Sequence, residues 1–198
     1  MFTGIIENLG SVRDVEPGEG GLEFSFFCPF ADSLVLGESV AVDGACLTVV
    51  SFAADHFNAF LSRETLSKTT FERRVPGEVV HLERALRLDQ RLGGHLLSGH
   101  VDGVGQILAR KPKGEAEEFI FSAPPALAPM IAPKGSIAIE GVSLTVNEVE
   151  GNRFHVMLVP YTLEHTKFGT LRVGSEVHLE IDLIARYVAR WLKAQHRS

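Results

Sequence analysis

Short runs along the chain alternate apolar and polar residues with a period of two. Ser39-Val40-Ala41-Val42-Asp43 and Val80-His81-Leu82-Glu83 are clear cases, and each run is bounded by glycine or proline. Successive side chains of a strand point to opposite faces, so this alternation predicts strands with one face in a core. In the first half it places strands near residues 4–9, 22–27, 39–42, 46–52, 56–61 and 78–83. Short strands at this spacing predict a closed antiparallel barrel or a sandwich. The alternation sets His81 and His178 opposite their apolar neighbours, where they are expected to face solvent on the outside of a barrel. Gly44 and Gly141 stand between two strands, as tight turns with positive φ require. Segments 64–71 and 161–168 read as helical turns between strands. The chain end changes period: Leu183, Ile184, Tyr187, Val188, Trp191 and Leu192 form one stripe of a helix, with Arg186, Arg190 and Lys193 on the other face. That stripe either packs on its own barrel or joins copies of the chain.

The pattern occurs twice. SVAVDGACLTVV at residues 39–50 recurs as SIAIEGVSLTVN at 136–147, ETLSKTTF at 64–71 as YTLEHTKF at 161–168, and GEVVHLE at 77–83 as GSEVHLE at 174–180. All three pairs share an offset of 97 residues. Solenoid units repeat every 20–50 residues or so, whereas about a hundred residues is the size of a small domain. The chain therefore divides into a first domain at 1–92, a second at 93–184 and a terminal helix at 185–198. Two like surfaces predict two like ligands.

With 45% hydrophobic residues, the 198-residue chain can fill two modest cores rather than one large one. A net charge of −6 argues against a nucleic-acid surface, which needs a basic face. No stretch approaches the roughly 18 consecutive apolar residues of a membrane span. The opening MFTGIIENLG lacks the basic and apolar regions of a signal peptide, so a cytoplasmic protein is expected. Cys28 and Cys46 occupy unmatched places in the two copies, which favours free thiols over a disulfide framework.

Familiar catalytic signatures are absent: Gly103-Val104-Gly105 lacks the third glycine of a dinucleotide loop, and no Walker, HExxH or GxSxG motif occurs. His95 and His100, five apart, share neither a strand face nor a helix face, and no metal site is expected there. A polar set inside apolar strands remains. Gly44-Ala45-Cys46-Leu47-Thr48 matches Gly141-Val142-Ser143-Leu144-Thr145. Alone, the threonines would be strand formers and Cys46 a small core residue. Repetition of the pattern favours two pockets that present small donors to a flat heterocycle. Thr65 and Thr162 also repeat, each at the start of a helical turn with free backbone N–H groups. His100, Lys134 and Asp182 lack polar equivalents in the first copy, and Cys46 and Glu64 belong to the first copy only. Two surfaces with different reactive groups suit two identical molecules given different roles.

MFTGII, GACLTV, GGHLLSGHVDG, KGSIAIEGVSLTV, VPYTLEHTKFG and VHLEIDLIARYVAR, in this order, resemble the riboflavin synthase family. The resemblance covers almost the whole chain. It implies an all-β fold of two tandem, duplicated, closed six-stranded antiparallel Greek-key barrels plus a C-terminal α-helix that holds a homotrimer. It implies a transferase that acts on two molecules of 6,7-dimethyl-8-ribityllumazine. A four-carbon unit passes between them to give riboflavin and 5-amino-6-ribitylamino-pyrimidinedione, with no cofactor and no metal. Lumazine synthase is a candidate partner. Family contacts carried over fall, for the first barrel, on Gly4, Ile5, Ile6, Ser39, Cys46, Leu47, Thr48, Phe60, Leu61, Ser62, Arg63, Glu64 and Thr65. For the second they fall on Gly99, His100, Val101, Lys134, Ser143, Leu144, Thr145, Val159, Pro160, Tyr161, Thr162, Leu163 and Glu164. The resemblance places each site between the first barrel of one subunit and the second of its neighbour. Tyr161 and Ala45 depart from the family pattern without removing a reactive group.

The implied chemistry removes a proton from the C7 methyl of one lumazine, which a base of near-neutral pKa and donors to the ring carbonyls would assist. His100 is the candidate for proton transfer, with Ser143, Thr145 and Lys134 holding the donor ring and Asp182 completing the acid–base set. Cys46 and Thr48 face the partner molecule. A competing class, the bioluminescence antenna proteins, shares the fold and binds lumazine or flavin without turnover, having lost the reactive set of one barrel. Here Cys46, Thr48, His100, Lys134, Ser143, Thr145 and Asp182 are all present.

Overall fold

The computed structural model describes residues 1–195. Strands β1 (Asn8–Gly18), β2 (Gly21–Phe27), β3 (Ser39–Val42), β4 (Ala45–Phe52), β5 (His56–Ser62) and β6 (Val79–Arg84) close into one barrel, with helix α1 (Arg63–Lys68) after β5. The second barrel comprises β7 (Gly103–Lys113), β8 (Ala116–Ser122), β9 (Ser136–Ile139), β10 (Val142–Glu150), β11 (Arg153–Leu158) and β12 (Glu176–Ile181), with helix α2 (Pro160–His165) after β11. All pairings are antiparallel. In the first barrel β2 neighbours β5, bracketing the β3–β4 hairpin, and closure through β1 and β6 leaves no free edge.

Inward positions carry the core. Phe24, Phe26 and Phe57 fill the first barrel and Phe119, Phe121 and Phe154 the second, all fully buried. Phe71 and Phe168, on 3-10 turns after α1 and α2, meet these rings edge-on and plug one end of each barrel. Burying each such side chain stabilises by about 1.5–3 kcal/mol. The two copies correspond at an offset of 97 from the turns Ala31–Ser33 and Ala128–Met130 onward, and at 95 before them. A two-residue insertion after β8 accounts for the difference.

Two expectations need correction. The first strand, expected over 4–9, begins at Asn8, and residues 3–6 leave the barrel as an extended segment. His81 and His178, expected on the solvent side, are each 1% exposed. The outer faces of β6 and β12 are where the two barrels dock, so their polar positions are covered by the other copy. Gly44 (φ +84°) and Gly141 (φ +78°) make the expected turns and also touch across this interface. A Cβ on Gly44 would lie 2.8 Å from the Gly141 nitrogen, so neither position tolerates a side chain.

Helix α3 (Leu183–Gln195) starts two residues before the expected boundary, and residues 196–198 of that segment lie outside the described residues. Ile184, Tyr187, Val188, Trp191 and Leu192 are exposed, so the stripe is not packed on its own barrel. Both cysteines are free.

Candidate active site: two matched clefts

Each barrel is preceded by a segment that it anchors and that the other barrel uses. Glu83 on β6 accepts Thr3 N (2.6 Å), Thr3 Oγ1 (2.7 Å) and Gly4 N (3.0 Å). Glu180 on β12 accepts Ser98 N (2.7 Å), Ser98 Oγ (2.6 Å) and Gly99 N (3.1 Å). Phe2 and Leu97 pair between the two segments. Each segment then crosses over: Ser143 N donates to Gly4 O (2.8 Å), and Cys46 N donates to Gly99 O (2.7 Å). Ile6 packs on the core of the second barrel and Val101 on that of the first. Gly4, Ile5 and Ile6 therefore serve the second barrel, and Gly99, His100 and Val101 the first, the reverse of the expected grouping. Closeness in sequence misled because each segment leaves its own barrel before the first strand begins.

The crossing creates two clefts. The first, about 290 Å³, is lined by Ala45 and Cys46 of β4, Glu64, Thr65 and Lys68 of α1, then Thr69, Gly99, His100 and Val101. The second, about 450 Å³, is lined by residues 4–9, Val142 and Ser143 of β10, Tyr161, Thr162, Glu164 and His165 of α2, and Thr166. Allowing for the two offsets, every wall residue of the first cleft has a counterpart in the wall of the second, while the chemistry differs. Cys46 stands where the second has Ser143, Glu64 where it has Tyr161, Lys68 where it has His165, and His100 where it has Ile5. The Ser62 hydroxyl caps α1 by accepting Thr65 N (3.4 Å), and Pro160 pre-sets the first turn of α2.

Other expected site residues fall around these clefts. The side chains of Leu47 and Leu61 lie in the first barrel's core, so only their backbone can meet a ligand. Thr48 and Thr145 are exposed on the same strand faces as Cys46 and Ser143, paired with Ser39 and Ser136. Phe60, Ser62, Arg63, Val159 and Pro160 are exposed around the starts of α1 and α2; Leu144 and Leu163 pack against the second core. Lys134 is exposed before β9, its N–H donating to Val146 O (2.7 Å), and does not line the second cleft. His100 lies beside Cys46 and not with Ser143, Thr145 and Lys134 as expected. Its loop is held from α3, where Arg186 pairs with Asp102 at 2.7 and 2.9 Å.

His95, which no site expectation included, stands behind the wall of the second cleft. Its Nδ1 lies 2.6 Å from Ser143 Oγ, and its Nε2 is buried without a protein partner. Burial lowers its pKa, opposed by the nearby Asp182 carboxylate, so the ring is neutral at neutral pH and able to take a proton. Asp182 itself accepts Ile184 N (2.8 Å) at the start of α3. Gly94 permits the contact: a Cβ there would fall 2.1 Å from Thr3 O and 2.7 Å from Ser143 Cβ, a closeness that the sequence alone does not show. Among the described residues, the one grouping of three potential metal ligands is Glu148, Glu150 and His155, and none of them lines a cleft.

A sequence model of the lumazine binding domain matches residues 3–85 and again 98–182. The chain is 42% identical to the riboflavin synthase of Brucella abortus (strain 2308), over 98% of this chain and 100% of that protein. The chain belongs to the riboflavin synthase family. It is also 40% identical to the riboflavin synthase of Photobacterium phosphoreum, over 97% of this chain and 89% of that one. Among solved structures, LumP complexed with 6,7-dimethyl-8-(1'-D-ribityl) lumazine superposes with a TM-score of 0.82 at 24% identity, covering 91% of this chain and 98% of that one, which shows a shared fold. The two family-domain matches begin at Thr3 and Ser98, the residues gripped by Glu83 and Glu180, so in this riboflavin synthase family member the crossing segment is part of the lumazine binding domain itself.

Proposed function

We propose that this protein makes riboflavin from two molecules of 6,7-dimethyl-8-ribityllumazine. One molecule gives up four carbons and leaves as 5-amino-6-ribitylamino-pyrimidinedione, and the other gains them, so atoms and electrons balance between the two. The observation that carries this reading is the pair of matched clefts with unlike reactive groups. An imidazole lines each, His100 beside Cys46 in the first and His165 in the second, where His95 also reaches the wall residue Ser143 from behind. A proton can thus leave one ring's methyl while the other ring is attacked and reprotonated. Ser143, bonded to His95, and the donors along α1 and α2 orient the rings.

The two clefts share no lining residue. We place the reaction where the first cleft of one subunit faces the second cleft of the next, in a homotrimer joined through the exposed stripe of α3. Lys134, Thr48 and Thr145 then stand at the junction. Holding two rings in register contributes up to about 7–11 kcal/mol in favourable intramolecular cases. The cytoplasm is the place of action, and association with lumazine synthase belongs to the same reading.

Incubation with 6,7-dimethyl-8-ribityllumazine alone tests this. Riboflavin fluorescence is expected to appear, with two lumazines consumed per riboflavin and one aminopyrimidine formed, unchanged by chelators. No riboflavin, or another product ratio, would sink the proposal.

A further inference from the structure

The barrel–barrel interface holds two histidines that the chemistry above does not use. His178, on β12 of the second barrel, points its Nε2 at Thr70 N (2.8 Å) and Thr70 Oγ1 (2.9 Å) in the first barrel, and its Nδ1 at Asp43 O (2.9 Å). His81, on β6 of the first barrel, points its Nε2 at Lys167 N (2.8 Å) in the second, and its Nδ1 at Glu140 O (2.7 Å). A backbone N–H can only donate and a carbonyl only accept, so both rings are assigned as neutral with the proton on Nδ1. The surrounding charge agrees. Asp43 and Glu140 face the rings together with Lys167 and Arg74, and Arg74 also pairs with the partly exposed Glu78; each buried carboxylate already has cationic partners and calls for no charged imidazole.

Thr70 and Lys167 directly follow Thr69 and Thr166, which line the two clefts. The Phe71 and Phe168 rings that plug the barrels pack on the same histidines, at 5.3 and 6.2 Å between ring centres. We propose that His81 and His178 are positioning residues, each fixing the wall of the cleft in the barrel to which it does not belong. This rests on the reading that both clefts bind substrate.

The test uses the full-length protein and pairs of variants. In His178→Gln the amide oxygen can replace Nε2 as acceptor, whereas His178→Asn supplies only the Nδ1 donor; His81→Gln and His81→Asn form the matching pair. Backbone hydrogen exchange, followed by mass spectrometry without substrate, is expected to rise at least tenfold over residues 63–71 in His178→Asn. Residues 160–168 should stay unchanged. His81→Asn should give the opposite pattern, and both glutamine variants should restore protection. In turnover, the asparagine variants are expected to raise KM about tenfold with kcat little changed, the mark of lost uniform binding. Exchange that rises in both segments, or in the barrel carrying the substitution, overturns the proposal, as does crossed exchange with an unchanged KM. The exchange arm needs no turnover. A crossed pattern in a protein that makes no riboflavin would condemn the enzymatic reading and leave the crossed anchoring standing.

Discussion

Asp43 is fully buried, and burial alone would raise its pKa; Lys167 and then Arg74 outweigh that and hold it well below the usual carboxylate range. Its stabilising contribution is complete above pH 3.8 and is lost only in stronger acid. His81 behaves differently: burial first, then Lys167, lowers its pKa below 6.5. A neutral buried imidazole stabilises the fold above the unfolded pKa, and that stability drains away as pH falls through the folded value. Chemical denaturation at a series of pH values should therefore show unfolding free energy declining as pH falls below about 6.5. The decline should be shallower in His81→Gln. Identical slopes in the two proteins would mean that the acid sensitivity lies elsewhere, His95 being the other imidazole lowered by burial. Alternation in the sequence correctly set His81 and His178 on the polar faces of their strands. What covers a polar face is a property of the partner surface, and no residue in β6 or β12 announces it.

Among elements, the barrel strands were legible because an alternating pattern bounded by Gly and Pro carries its own register. The crossing segments were not, since residues 4–6 read as the start of the first strand and only the grip of Glu83 and Glu180 explains why each segment departs. The carry-over of contacts reached most cleft residues but could not separate those offering side chains from those offering backbone, as Leu47 and Leu61 illustrate. Gly99 tests the crossing directly. It has φ +78°, and an added Cβ would lie 2.6 Å from Cys46 Cβ. Left-handed geometry alone costs a non-glycine residue about 1–2 kcal/mol. Gly99→Ala should displace the segment and abolish the first cleft while sparing the second, so riboflavin binding measured by fluorescence titration should fall from two equivalents per chain to one. Two equivalents at unchanged affinity would show that the close approach is not needed.

For the whole molecule, α3 was legible as an amphipathic stripe, yet what it covers could only be asked once its exposure was known. Deleting it is a poor experiment, because Arg186 holds Asp102 and with it the His100 loop. Val188→Glu combined with Trp191→Glu leaves that ion pair in place. Sedimentation should show trimers replaced by single subunits, with riboflavin synthesis lost and riboflavin still bound by each chain. A trimer that survives both charges would place the subunit contact elsewhere. The reciprocal crossing of residues 3–6 and 98–101 also bears on ancestry. Half of this chain is an incomplete object: it carries a strip it does not use and a groove it cannot fill. Two separate copies of such a half would complete each other in the same way, as a symmetric pair. Fusing two such copies into one polypeptide would keep the mutual completion and remove the symmetry, leaving each groove free to accumulate its own chemistry.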